Sequence, residues 1–175
     1  MITVLTPSLP ERYCMLTECR KSVSHQTMKA FDHIIAIDQQ RKGEADTLNT
    51  LLRESKTEWI AFLNDDDLFL PHHLERLWAE HDECDVIYSD CEMQGACKSW
   101  TSQDFDLFSL RVKNYIPTTV LTKKSTLLSV NGFRKAVYPN WDMWLRLGEL
   151  GAKFKFIPEI TWIYRIHSGS RSAPK

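Results

Sequence analysis

Three consecutive carboxylates, Asp65, Asp66 and Asp67, follow Asn64 at the end of the apolar stretch Trp59 to Leu63, with Pro71 shortly beyond. Carboxylates this close repel one another unless something neutralises them, and hard oxygen ligands in such a cluster suit Mg²⁺ or Mn²⁺, which can bridge to the phosphates of a substrate. The apolar stretch reads as a buried strand, and the carboxyl edge of an open α/β sheet is where ligands bind. The plainer alternative is a solvated acidic turn ahead of a helix begun at Pro71, since proline suits the first helical turn and acidic side chains suit helix N-termini. An isolated acidic run favours that alternative, and the motifs described below reverse the balance.

The surrounding pattern supplies the elements that would position such a site. Ile2 to Thr6 alternates as a strand and is broken by Pro7-Ser8-Leu9-Pro10; Glu11 to about Ser24 has near-helical spacing, and His33 to Asp38 is a second apolar strand ending in a carboxylate. Ala45, Leu48, Leu51 and Leu52 mark one face of a second helix, Leu74, Leu77 and Trp78 a third, and Asp85 to Asp90 a further strand. Strand and helix alternate, which predicts a largely parallel sheet with helices on both faces and right-handed crossovers. From Cys91 to about Asn114 the period weakens and a loop-rich segment with a short helix is expected. Beyond it the pattern predicts a strand over Thr118 to Thr122, a short helix over Lys124 to Val130, a turn at Asn131-Gly132-Phe133, a strong helix lined by Trp141, Trp144, Leu147 and Leu150, and strands over Phe154 to Ile157 and Thr161 to Ile166. The stretch 168–175 is small and polar and reads as a mobile tail.

Composition sets outer limits. The chain has 175 residues, 43% of them hydrophobic, which is one domain's worth with a genuine core. A net charge of −1 gives no general attraction to nucleic acid or to an anionic membrane. Five cysteines (Cys14, Cys19, Cys84, Cys91, Cys97) form no CxxC pair and follow no signal peptide, so reduced thiols in a cytoplasmic protein are expected. His81 with Cys84, Cys91 and Cys97 matches no common zinc spacing. No apolar run approaches the ~20 residues needed to span a bilayer.

Taken together, several segments resemble the family-2 glycosyltransferases of the GT-A fold. The likeness rests on Thr6-Pro7-Ser8 with Arg12 after the first strand, Ser22 and Gln26 ending the first helix, Asp38 ending the second strand, Asn49 on the second helix, and Phe62-Leu63-Asn64-Asp65-Asp66-Asp67 with Pro71. It continues in Asn131-Gly132-Phe133-Arg134, in Pro139-Asn140-Trp141-Asp142-Met143-Trp144-Leu145-Arg146-Leu147 with Gly151, and in Tyr164-Arg165-Ile166-His167 with Ser168 and Ser170. Departures are visible: Gln39-Gln40-Arg41 replaces the usual Asp and Gly-Ser after the second strand, Asn64 stands for the first Asp of the acidic signature, and Asn140 stands where the family's base is usually assigned.

The resemblance implies an α/β, GT-A chain with a mostly parallel central sheet flanked by helices. Residues 1–175 would be a single domain, with a nucleotide-sugar-binding half over 1–90, an acceptor and catalytic half over 91–167, and the tail over 168–175. It implies a metal-dependent, inverting transferase using a UDP-sugar by preference, with Mn²⁺ or Mg²⁺ as cofactor and a glycan, a protein, a lipid-linked sugar or a modified nucleic acid as acceptor. Donor contacts would come from Thr6, Pro7, Ser8, Arg12, Asp38, Asn49, Asp65 and Arg165, and metal ligands from Asp66, Asp67 and His167. Inverting transfer needs a carboxylate within reach of the acceptor; Asp142 is the candidate, with Asn140 orienting the acceptor. Trp100 is a candidate acceptor contact, Arg171 a further source of charge near the diphosphate, and Lys98, Arg111, Lys113, Lys123 and Lys124 add positive charge around the irregular segment, which would suit a phosphorylated or nucleic-acid acceptor, with a solvated face as the plainer reading. Two rivals remain: a phosphotransferase of the haloacid dehalogenase type, whose nucleophile belongs at the end of a first strand that here carries no Asp, and a nucleotide-sugar-binding module with little or no catalysis.

Overall fold

The computed structural model describes residues 1–29, 31–95 and 100–170; Cys97, Lys98, Arg171 and most of the expected tail lie outside them. One seven-stranded sheet has the order β2-β1-β3-β6-β5-β7-β4, built from β1 (Ile2–Ser8), β2 (Phe31–Ile37), β3 (Trp59–Phe62), β4 (Leu68–Phe69), β5 (Val86–Gln94), β6 (Val120–Lys123) and β7 (Phe154–Arg165). β1 pairs in parallel with β2 and β3, and β5 in parallel with β7. The helices are α1 (Tyr13–Ser24), α2 (Glu44–Glu54), α3 (His73–Trp78), α4 (Leu107–Val112), α5 (Lys124–Ser129) and α6 (Pro139–Glu149). None of the described helices is long and apolar enough to cross a membrane.

The period-2 pleat divides the core into two layers. Leu5, Ile60, Phe62, Tyr88 and Val120 face α2 and α6, where Leu48, Leu51, Met143, Trp144 and Leu147 meet them. Ile2, Val4, Trp59, Ala61, Ile87 and Leu121 face the other way, against Cys19 and Val23 of α1 and Leu74 and Leu77 of α3. Trp144 is fully buried and donates from Nε1 to the Pro117 carbonyl at 3.1 Å, so α6 is fixed by both apolar area and a satisfied polar tip.

The sheet is mostly parallel, as expected, and differs from the sequence reading in local details. β6 runs antiparallel between β3 and β5, because the chain leaves β5 through the irregular segment and α4 and enters β6 from the opposite end. The two strands expected at the C-terminal side are one, β7, whose pairing slips between Ile157 and Ile160, so that Pro158 and Glu159 stand out of the ladder where proline is tolerated. β5 runs on to Gln94, past the point where periodicity fades, and the short β4, which pairs with β7, escapes a period-based reading altogether.

Candidate functional site

The acidic run leaves β3 at the carboxyl edge of the sheet. It borders a cavity of about 770 Å³ that extends from the loop after β2, past β1 and β3, to the segments flanking α4 and the start of α6. Pro7, Ser8, Arg12, Asp38, Asp65, Asp66 and Asp67 line it. Asp65 accepts from the Ser8 hydroxyl at 2.7 Å and from Arg12 Nη1 at 2.9 Å. The same Arg12 nitrogen reaches Asp66 Oδ2 at 3.2 Å. Repulsion within the run is therefore relieved first by arginine, and Arg12 is held against both carboxylates.

Asp67 is the most enclosed of the three: its Oδ1 accepts the Arg165 backbone N–H at 3.0 Å, tying the run to the end of β7. Burial raises its carboxyl well above the usual carboxylate range, and the neighbouring Asp66 charge adds to that. Arg165 does not line the cleft. Its Nε bonds the Asp66 carbonyl and its Nη1 pairs with Glu18, so it braces the acidic loop from behind. His167 Nε2 lies 3.3 Å from Asp66 Oδ2, on the far side of Arg12 and facing a second cavity of about 450 Å³. The turn at His167 is closed by Ser170, whose backbone N–H reaches the His167 carbonyl and whose hydroxyl takes the His167 N–H. Among the described residues no group of three or more His, Cys, Asp or Glu forms a metal cage. Asp66 lines the cleft, whereas His167, 3.3 Å from its carboxylate, lines the second cavity.

At the other end, Asp38 folds its loop back on itself. Its two oxygens accept the N–H groups of Lys42 at 2.9 Å and Gly43 at 2.8 Å, which hold its carboxyl below the usual range. Arg41, Gly43, Glu44 and Thr47 form the wall beside it. Sequence reasoning missed these four because they sit in and just after the loop where the Gln39-Gln40-Arg41 departure occurs; the signal available was Gly43 itself, whose φ of 99° lets the loop turn back so that its N–H reaches Asp38.

The opposite wall is formed by Trp100, Lys113, Asn114, Tyr138, Asn140 and Trp141. Trp100 thus reaches the cleft. The carboxylates among the described lining residues are Asp38, Glu44, Asp65, Asp66 and Asp67, and none belongs to this wall. Asp142 is turned away: its Oδ2 accepts from Arg146 Nη2 at 2.7 Å and Nε at 2.9 Å. Arg146 in turn donates to the Val130 carbonyl at 2.7 Å and the Gly132 carbonyl at 3.0 Å. The placement does not meet the expectation of a base at Asp142, because an i, i+4 ion pair on α6 holds the carboxylate on the turn-facing side of the helix.

Asn49 likewise is not among the residues that line the cleft. Its side-chain amide donates to the Phe133 carbonyl and accepts the Phe133 N–H, both at 2.8 Å, clamping the turn that begins at Asn131. Thr6 is buried and bonds His33 Nε2 at 2.9 Å beneath β1, so its neighbours Pro7 and Ser8 face the cleft in its stead.

Comparison with known proteins bears on the family and the fold. Residues 21–132 match the sequence profile of glycosyl transferase family 2. An uncharacterised glycosyltransferase of Haemophilus influenzae is 21% identical over 95% of this chain, and YwdF, an uncharacterised glycosyltransferase of Bacillus subtilis, is 22% identical over 85% of it. The chain spans 62% and 68% of those proteins. Among solved structures, Staphylococcus aureus TarS 1–349 in complex with UDP-GlcNAc superposes with a TM-score of 0.79 at 16% identity, covering 99% of this chain and 61% of that one. The mannosyltransferase PcManGT of Pyrobaculum calidifontis in complex with GDP-Man and Mn²⁺ gives 0.72 at 14% identity, covering 96% and 57%.

Proposed function

The chain belongs to glycosyl transferase family 2, and on that premise we propose that it moves a sugar from a nucleotide-diphosphate donor, a UDP-sugar by preference, to an acceptor hydroxyl with inversion. The observation that carries this is the cleft itself, a sheet-edge cavity in which Asp65 and Asp66 are organised by Ser8 and Arg12. The nucleoside lies against Asp38 and Thr47, the diphosphate beside Arg12 and Asp66, and the acceptor against the wall of Trp100, Asn140 and Trp141. The UDP preference is supported by the TarS complex, whereas PcManGT is described with GDP-Man. The free thiols of Cys14, Cys19, Cys84 and Cys91 suit a cytoplasmic setting.

A divalent cation, Mn²⁺ or Mg²⁺, fits the residues present. Asp66 and His167, whose Oδ2 and Nε2 lie 3.3 Å apart, would hold the ion, with the donor's own oxygens making up for the small number of protein ligands. Asp67, committed to the Arg165 backbone, is not assigned as a ligand. When bound, the ion supplies neutralisation of the charge on the departing diphosphate. Arg12 delivers positive charge to the same place from the protein, and Asp65 keeps Arg12 aimed.

A second reading, a donor-binding module with little catalysis, is favoured by one observation: Asn140 faces the cleft where the family motif carries an aspartate, while Asp142 is locked to Arg146. Thermal shift with UDP, UDP-GlcNAc and GDP-Man, with and without Mn²⁺, tests the donor site, since a ligand at 100 times its Kd adds ~2.7 kcal/mol of apparent stability. Stabilisation by a nucleotide and Mn²⁺ together supports the proposal; no stabilisation by any nucleotide rejects it. Slow release of nucleoside diphosphate then separates the transferase from the binder.

A further inference from the structure

Among the described residues, five buried side-chain polar atoms have no hydrogen-bond partner: His73 Nε2, Thr119 Oγ1, Thr122 Oγ1, Trp162 Nε1 and Arg165 Nη2. Of these residues, Thr119 and Trp162 line the cleft. Both are almost wholly buried, at 0% and 3% exposure. Their neighbours show that the shortage is local. Thr161, next to Trp162, bonds both Ser89 and His73, and Trp100, Trp141 and Trp144 each satisfy their indole N–H within the protein. A buried donor without a partner keeps its desolvation cost until something supplies an acceptor.

The position of the two atoms follows from strand order. Asp38 stands after β2, the acidic run after β3, and then come β6, β5 and β7. Thr119 immediately precedes β6, whose Val120 pairs with Tyr88 of β5, and Trp162 pairs with Cys91 of the same strand. They therefore flank the cleft end of β5 one to three strands beyond the acidic run, about 5–14 Å at ~4.8 Å per strand. With the nucleoside at β2 and the diphosphate at β3, the next group along the edge is the donor's sugar.

The chemistry agrees. An indole N–H only donates, so Trp162 needs an acceptor oxygen; a threonine hydroxyl donates and accepts, so Thr119 suits a group that does both. A sugar hydroxyl is such a group. Resting on the donor-site reading above, we propose that Thr119 Oγ1 and Trp162 Nε1 are the specificity-determining pair that recognises hydroxyl groups of the transferred sugar.

The test uses Thr119→Val, which keeps the shape and removes the unpaired hydroxyl, and Trp162→Phe. Calorimetry with Mn²⁺ compares the nucleotide sugar bound by the wild type, UDP-GlcNAc or GDP-Man, with UDP or GDP alone. Each variant is expected to weaken the nucleotide sugar about tenfold, the value of one hydrogen bond into a dry site, and to leave the nucleoside diphosphate unchanged. Thr119→Val is also expected to melt no lower than the wild type when ligand-free, because it deletes an orphaned group rather than a contact. Should Trp162→Phe fail to fold, Thr119→Val decides the matter alone. Unchanged sugar-nucleotide affinity, or an equal loss for the nucleoside diphosphate, overturns the pair's role while the donor site stands. A wild type that binds neither class of nucleotide overturns the donor site and the inference together.

Discussion

Asp142 Oδ2 sits 2.7 Å from Nη2 and 2.9 Å from Nε of Arg146, and that fork makes the carboxylate part of a brace rather than part of the cleft. Arg146 carries the brace on to the carbonyls of Val130 and Gly132, while Asn49 holds Phe133 from the other side. Asp142→Asn should therefore act on folding: a loss of about 1–2 kcal/mol is expected for a partly exposed charge-assisted pair. Nucleotide affinity should be unchanged, and nucleoside diphosphate release should fall only with the folded fraction. Urea melts beside a release assay check this. A large fall in turnover with unaltered stability would give Asp142 back its place as the base.

Asn140, two residues earlier, lines the cleft where Asp142 does not. Asn140→Asp places a carboxylate on a wall that has none among its described residues. General base catalysis is worth ~10²–10⁴, so a rise of at least about tenfold in donor turnover is expected, with Kd for UDP unaltered. A variant no faster than the wild type would show that proton removal is not what limits this chain.

Much of this molecule is legible in its residues, and the part that is not has identifiable causes. The β1-α1-β2-α2-β3 start, the acidic loop and the α6 helix follow from apolar period, and Pro7, Ser8, Asp38 and the acidic run fall on the cleft because strand ends do. Asn49, Asp142 and Arg165 stand outside the cleft lining for one reason: a polar residue in a functional motif can hold a turn or loop, and sequence spacing does not reveal which way it points. The antiparallel β6 is hidden because strand direction depends on the path of the irregular segment. Thr119 and Trp162 are hidden because an unmet hydrogen bond has no sequence signature.

Gly132 tests the brace at its tightest point. Its φ is +71°, and a Cβ there would stand 2.4 Å from Asn49 Oδ1. Gly132→Ala should cost about 1–3 kcal/mol, from left-handed strain and from displacing the amide that pairs with Phe133. Asn49→Ala should lose a similar ~1–3 kcal/mol through the unpaired Phe133 backbone. Because the two act on one contact, the double variant is expected to lose clearly less than the sum, which chemical denaturation of all four proteins measures.

Asp66 and His167 carry the metal proposal. With Asp66→Asn, the extra stabilisation that Mn²⁺ adds to a bound nucleoside diphosphate is expected to vanish, and His167→Ala should weaken it by about tenfold in affinity, within the range for lost ligating or supporting groups. Chelation of the wild type should reproduce the Asp66→Asn result. A thermal-shift panel with Mn²⁺, Mg²⁺ and chelator reads all three, and a nucleotide response indifferent to every cation would remove the metal from the account.

Two buried histidines shape the acid side of the stability curve. His73 is fully enclosed, with Nδ1 2.7 Å from Thr161 Oγ1 and its ring stacked 3.9 Å from that of Phe69. Burial, then the charge of His72, lowers its pKa from 6.5 to about 3. His33 lies against Thr6, and burial, then Arg20, lowers its pKa to about 4. In both, the folded value is below the unfolded one, so the unfolded chain binds more protons once the pH drops under about 6.5. The stability of the neutral state is intact above that pH and is lost on acidification until the folded pKa values are reached. Asp67, whose carboxyl is raised, works with the opposite sign and offsets part of the loss. His73→Phe isolates one contribution: from pH 6.5 to 5 the wild type should lose about 2 kcal/mol more than the variant, at ~1.4 kcal/mol per pH unit for one proton. Urea unfolding at half-unit steps of pH measures the two slopes, and parallel slopes would mean that His73 takes up a proton in the folded protein as readily as in the unfolded chain.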